Sequence, residues 1–240
     1  MSLPSSSLLL FPCPKALIFD LMGTCTDWKH SSILPALLSC PLNVKLPREQ
    51  IDGFATAWRE GFFKEIHKRF AAEEDAEDID VTHRRVLDAL LEERGVGYEE
   101  WDEDVRGRLV GSWHEQGVWP DVKQALERLS EKFFVVVLAN GTTKLQLDII
   151  KSSGLRFHTL FSSQLLGLTK PDPAIYLKAL DLLGLSEKPE EAVMVAAHFY
   201  DLVAAGNLSV LYENGCYEKF KVLRELDFID FKTYFALILK

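Results

Sequence analysis

Residues 16–19 are Ala-Leu-Ile-Phe, and the next residue is Asp20. A run this short and this apolar leaves no polar face for water, so it reads as a strand buried on both sides, as in a parallel sheet. Parallel strands need long crossovers and helices over both faces, which confines the chain to a layered α/β fold. Phe133–Leu138, Thr159–Ser162 and Ala192–Val195 have the same strand character. The segments Asp121–Lys132, Thr142–Ser153, Pro173–Leu183 and Asp201–Leu208 read as the helices that alternate with them. Asp20 taken alone has two readings: a cap for the following turn, or a carboxylate at the strand end where open α/β sheets gather ligands.

The block between the first strand and this alternating region has a different pattern. From Arg48 to Phe70 the residues Ile51, Phe54, Ala55, Trp58, Phe62, Phe63 and Ile66 recur at helical spacing. Thr82–Arg94 reads as a second helix stopped by Gly95, Trp101–Trp113 as a third, and Ile33–Leu38 as a short one. Glu73–Asp80 reads as a solvated acidic loop, and no strand signal occurs between residues 30 and 115. The expected organisation is an N-terminal tail over 1–14, an α/β core over 15–29 and 116–240, and a helical cap over 30–115. Core and cap are expected to pack as separate units with the site between them. After Leu208, Ser209–Tyr212 reads as a further strand and Phe228–Leu239 as a last helix.

With 240 residues, 48% of them hydrophobic, the chain can bury one good core and a smaller insertion. A formal net charge of −9 argues against a nucleic-acid partner while leaving room for a local cationic pocket and a small anion. Cys13, Cys25, Cys40 and Cys216 have no CxxC spacing, which points to reduced thiols in the cytoplasm. The apolar stretch at 5–11 is too short for a leader, and no segment approaches the roughly 20 apolar residues that span a bilayer.

Each core strand is followed by polar residues that packing does not require. Asp20 follows the first, Asn140-Gly141-Thr142-Thr143 the second, Lys170-Pro171-Asp172-Pro173 lies beyond the third, and His198 to Asp201 follow the fourth. A doubly wound sheet brings all four to one crevice. Singly, each has an ordinary structural reading as a turn or cap; four in this order point to a catalytic site.

This order and spacing resemble the haloacid dehalogenase (HAD) superfamily from about residue 15 to residue 208. Within it the chain is most similar to the type II 2-haloacid dehalogenases and their fungal-like relatives. Met22 stands where phosphatases carry a second Asp. Val-Ala-Ala-His-Phe-Tyr-Asp at 195–201 resembles the dehalogenase form of the fourth motif, and Trp58-Arg59 resembles the Trp-Arg pair on the dehalogenase cap helix. The resemblance implies a Rossmann-like doubly wound core with an inserted all-helical cap. It implies Asp20 as nucleophile through an aspartyl ester, with Lys170 compensating its charge. Arg59 and Asn140 would receive the departing halide. Backbone N–H groups at Leu21 and Met22 would hold the substrate carboxylate, and Asp201 would help position or activate the hydrolytic water.

The same positions argue against magnesium chemistry. Ala197 occupies the place of the phosphatase metal ligand, and a methionine at 22 cannot serve as a general acid. No metal and no cofactor is therefore expected. The expected partners are a short 2-haloacid or similar small anion and, as an open option, a second copy of the chain; neither nucleic acid nor membrane is expected.

Several substrate-side residues depart from the dehalogenase pattern. Ala139 replaces a usual Ser, with Thr142 as a nearby source of a hydroxyl. Ala196 and His198 replace a Ser and an Asn, and Met22 replaces a common aromatic residue. His198 has two open readings, a water-orienting group or a packed histidine. Two alternatives remain beside the dehalogenase reading: an unusual magnesium-dependent phosphatase, and a catalytically impaired HAD fold that binds or regulates.

Overall fold

The computed structural model describes residues 14–74, 77–208 and 211–214; the N-terminal tail and the expected helix at Phe228–Leu239 lie outside them. Five parallel strands form the main sheet: β1 (Ala16–Phe19), β4 (Phe134–Ala139), β5 (Thr159–Ser162), β6 (Ala192–Ala196) and β7 (Leu211–Asn214). Their order is β5-β4-β1-β6-β7, so the chain reverses direction across β1 and the switch point lies between β1 and β6. Leu17 pairs with Val135 on one side and Val193 on the other, which explains why β1 is buried at all four positions. Of the strand expected at Ser209–Tyr212, Leu211 and Tyr212 lie in β7, and Ser209 and Val210 lie outside the described residues.

The two sheet faces are read from alternate residues of the same strands. Leu17, Phe19, Val135, Val137, Val193 and Val195 face α5 (Val122–Ser130) and α6 (Thr143–Ser153). Ala16, Ile18, Val136, Leu138 and Met194 face α8 (Pro173–Leu182) and α9 (Phe199–Gly206). Each fully buried Val, Leu or Ile contributes about 1.5–3 kcal/mol relative to exposure, so these two layers supply the main driving force of the core.

Between β1 and α5 the chain forms α1 (Leu34–Leu38), α2 (Ile51–Ala71), α3 (Ile79–Glu93) and α4 (Glu103–Gly111). A two-stranded antiparallel ribbon, β2 (Thr26–Asp27) with β3 (Gly117–Val118), brackets them. A ribbon of two residues per strand carries no hydrophobic alternation, so sequence periodicity does not reveal it. The short helix α7 (Ser163–Leu166) is undetectable for the same reason. The third insertion helix is also shorter than Trp101–Trp113, because Asp102 caps it by accepting the Val105 N–H at 2.9 Å. Asp78 likewise caps α3, so that helix starts at Ile79, inside the expected acidic loop.

Gly61 of α2 faces Val86 of α3 so closely that an added Cβ would lie 2.6 Å from Val86 Cγ1; the absence of a side chain there sets the helix spacing. Arg106 ties α4 to its neighbours through Asp88 at 2.6 Å and the carbonyls of Trp101 and Val96. Helical block and sheet do not pack as separate units: one buried apolar cluster runs from Leu17, Phe19 and Val137 to Trp58, Phe62, Leu87 and Trp113. No described helix is long and apolar enough to cross a membrane.

Candidate active site

Asp20 stands one residue beyond β1, with its N–H donating to Val195 O at 3.0 Å, so the sheet ladder fixes its backbone. Lys170, on the loop between α7 and α8, donates from Nζ to Asp20 Oδ1 at 2.9 Å and to Asp201 Oδ2 at 2.9 Å. All three residues are buried. Thr24 Oγ1 donates to Asp20 Oδ2 at 2.8 Å and accepts the Ala197 N–H at 2.9 Å, joining the β1 and β6 loops. His198 Nδ1 lies 2.9 Å from the same Oδ2. Gly23 at φ +87° turns the chain between these groups, and a Cβ there would lie 3.6 Å from the His198 ring.

Burial alone would push the Asp20 carboxyl up, but the Lys170 ammonium and His198 outweigh it and hold the group well below the usual carboxylate range. The nucleophile candidate is therefore ionised. Lys170 is held well above the ordinary lysine range, because Asp20 and Asp201 overcome the cost of burying its charge. Asp201 moves the other way: burial and the Asp20 charge raise it, and Lys170 offsets only part of that. The two carboxylates share the Lys170 ammonium, and Asp20 also meets His198 Nδ1 at 2.9 Å.

Asn140 grips the backbone of Lys170 at both ends of its amide, donating to Lys170 O at 2.9 Å and accepting the Lys170 N–H at 2.8 Å. It positions the lysine, which leaves one amide hydrogen for the cleft. Beside it, Phe62, Ile66, Ile79 and Gly141 line a groove between α2, α3 and the strand ends. The N–H groups of Leu21 and Met22 donate to no protein acceptor among the described residues, while the Leu21 carbonyl accepts from Cys25 and Thr26.

Arg59 projects from α2 into an aromatic cage, its guanidinium carbon 4.4 Å from the Phe63 ring centre and 5.4–5.7 Å from Phe62, Trp113 and Trp28. Its Nε and Nη1 are buried with no hydrogen-bond partner. Desolvation lowers its pKa to about 10, against the pull of Tyr200 and Asp20, so it remains charged at neutral pH. A buried, charged guanidinium with idle donors is built to receive an anion.

Two of the expected roles meet different geometry. Asp201 is fully buried, accepting from Tyr176 Oη at 2.6 Å as well as from Lys170, so it anchors the lysine and does not line open space. Thr142 Oγ1 accepts the Leu145 N–H at 3.0 Å as the N-cap of α6, so it serves the helix end and not the cluster around Asp20. Thr24 and Tyr176 received no role from the sequence. Thr24 sits in the loop after β1, four residues after Asp20, but Tyr176 lies on a helix face with no distinguishing signal.

Asp20, His198 and Asp201 each offer a ligand atom within 4.8 Å of the others. Lys170 Nζ already sits between the two carboxylates, and Ala197 offers no side-chain oxygen. A magnesium ion needing six oxygens in octahedral array does not fit this donor set.

Residues 14–208 match the family model of the haloacid dehalogenase-like hydrolases. The chain is 27% identical over 199 residues to (S)-2-haloacid dehalogenase 4A of Burkholderia cepacia, covering 80% of this chain and 78% of that protein. It is 25% identical over 236 residues to a glyceraldehyde 3-phosphate phosphatase of Methanopyrus kandleri, covering 91% and 92%. Its fold superimposes on the crystal structure of an L-2-haloacid dehalogenase with a TM-score of 0.72 and 34% identity, covering 83% of this chain and 82% of the other. The chain belongs to the haloacid dehalogenase-like hydrolases.

Proposed function

We propose that this hydrolase displaces halide from a short 2-haloacid, without a metal, by attack of Asp20 on the carbon bearing the halogen. The observation that carries the reading is the opposition of charges across the site. An ionised, lysine-paired Asp20 lies on the core, and a buried Arg59 with idle N–H donors lies on the helical block. Attack at carbon forms an Asp20 ester as the carbon–halogen bond breaks. Arg59 and the free hydrogen of Asn140 receive the halide where its charge develops. The unpaired N–H groups of Leu21 and Met22 hold the substrate carboxylate, and water then opens the ester.

The division into a core of 15–29 and 116–240 and a cap of 30–115 belongs to the same proposal, with the substrate entering between them. The free thiols of Cys25 and Cys40 fit a reducing, cytoplasmic setting.

The test is halide release by the purified chain from short (S)-2-haloacids, with and without EDTA. Release unaffected by EDTA, an (R)-2-hydroxyacid product and no turnover by Asp20→Asn are expected, since an amide is a far poorer nucleophile than a carboxylate. One turnover in oxygen-18 water should label Asp20 and not the product. Magnesium-dependent release of phosphate from small phosphoesters, with no halide release, would establish the phosphatase reading instead.

A further inference from the structure

An aspartyl ester persists unless a base draws a proton from the attacking water, and few residues around Asp20 can act as one. Asp201 is fully buried against Lys170 and Tyr176. Lys170 is an ammonium donating to two carboxylates and has no lone pair to offer. The Thr24 hydroxyl is tied to Asp20 and Ala197, and Asn140 to the Lys170 backbone. Met22, Ala139, Ala196 and Ala197 carry no basic group.

His198 remains. Its Nδ1 is 2.9 Å from Asp20 Oδ2, and its side chain keeps 21% of its surface exposed. The ring is held in place by stacking on Tyr200 at 5.6 Å and 22° and by an edge contact with Phe63 at 5.1 Å. Its Nε2 has no hydrogen-bond partner among the described residues and is not sealed from solvent. An ionised carboxylate only accepts, so Nδ1 carries the hydrogen toward Asp20 and Nε2 keeps its lone pair in the neutral ring. The other titratable or charged groups around it are Asp20, with Lys170 behind it, Arg59 across the Phe63 ring, Tyr200, and His67 at 5.6 Å from the Tyr200 ring.

We infer that His198 is the general base that activates the ester-opening water, a role that rests on the aspartyl-ester reading of the site. Water adds to Cγ of the Asp20 ester while its proton passes to the imidazole. The tetrahedral adduct collapses by breaking the bond between Cγ and the alkyl oxygen, and the alkoxide takes that proton to leave as the 2-hydroxyacid. The Asp20 carboxyl loses its remaining proton to solvent and is ready for the next turnover.

The experiment is rapid quench and intact-mass analysis of the full chain with chloroacetate. It compares the wild type with His198→Asn and His198→Gln; the glutamine amide can still donate to Asp20 but cannot take a proton. Both variants are expected to release one equivalent of chloride in a burst and to accumulate a carboxymethyl ester on Asp20. Their steady-state kcat should fall about 10²–10⁴-fold. The acid limb of the wild-type kcat profile should vanish in both. Turnover within about threefold of wild type in either variant would overturn the assignment, since a positioning role is one the glutamine can fill. Loss of turnover with no burst and no ester would overturn it as well, placing His198 in the first step. Absence of both chloride release and ester in the wild type would instead remove the aspartyl-ester reading beneath it.

Discussion

Replacing Lys170 by methionine keeps the volume of the side chain and removes its charge, which makes it a clean probe of the buried triad. Nζ lies 2.9 Å from an oxygen of each carboxylate, and neither partner is appreciably exposed. At an effective dielectric constant of about 20, each such attraction is worth about 6 kcal/mol. The two carboxylates lie within 4.8 Å of one another and repel by about 3 kcal/mol on the same scale. The net attraction is reduced by the several kcal/mol that each buried ion costs, so the expected loss at pH 7 is about 3–5 kcal/mol.

The pH dependence has a definite sign. In the wild type Asp20 is depressed, so its stabilisation is present above the unfolded carboxylate range and is lost only as pH falls through its low folded pKa. In Lys170→Met two buried carboxylates face each other without a cation, and one must bind a proton in the folded state at a pH where the unfolded chain does not. The variant should therefore recover relative to wild type between pH 7 and pH 5, at up to about 1.4 kcal/mol per pH unit. Urea denaturation of both proteins at the two pH values measures it. A deficit below about 1 kcal/mol at pH 7, or one that does not change at pH 5, would refute the triad as the charge-balancing centre.

How far the sequence reveals this molecule depends on the length over which each signal acts. Four parallel strands are legible from their short apolar runs, and the polar residues beyond them from their succession, since each alone also suits a turn or cap. The convergence of Asp20, Asn140, Lys170 and His198 then follows from sheet topology. Arg59 is legible as a candidate from its helix position and the motif around it, but its lack of partners is a tertiary fact. Thr142 shows the opposite case, a polar residue whose local duty at a helix end is as well signalled as a site role would be. Asp201 follows the same logic, since a carboxylate at the start of a helix gives no sign that it is sealed. His83 is the most concealed. Its sequence context, Thr-His-Arg-Arg, reads as a solvated helix face, yet the ring is stacked between Phe62 and Trp113, at 4.1 Å from each. The continuity of the apolar cluster between block and sheet is equally invisible, because periodicity reports which face is apolar and not what covers it.

His83 is buried with neither ring nitrogen hydrogen-bonded, and burial together with the nearby Arg59 depresses its pKa well below the usual histidine range. His83→Phe should raise stability at pH 7 by about 1–3 kcal/mol, the desolvation cost of the idle polar atoms, as read by urea denaturation. The gain should grow as pH falls below the unfolded histidine pKa, since only the unfolded wild-type chain then binds the proton; a loss of stability would mean that the ring nitrogens have partners in solution. His114 carries the opposite sign. It follows α4 and bridges Asp80 at the start of α3, at 3.0 Å, and Asp148 on α6 of the core, at 2.7 Å. These carboxylates raise its pKa, with Asp80 the largest influence, partial burial opposing and Lys144 also sharing Asp148. A raised folded pKa means that the stabilisation is complete below the unfolded histidine value and is lost as pH rises through the folded one. His114→Gln, which retains a donor without the charge, should thus be less stable than wild type at pH 5.5 and approach it at pH 8.5. Because the bridge joins the helical block to the core, the same variant should show faster amide exchange in α3 under the acidic condition, after correction for intrinsic rates. A His114→Gln deficit that is equal at both pH values would mean that the bridge acts through hydrogen bonding alone, with no contribution from charge.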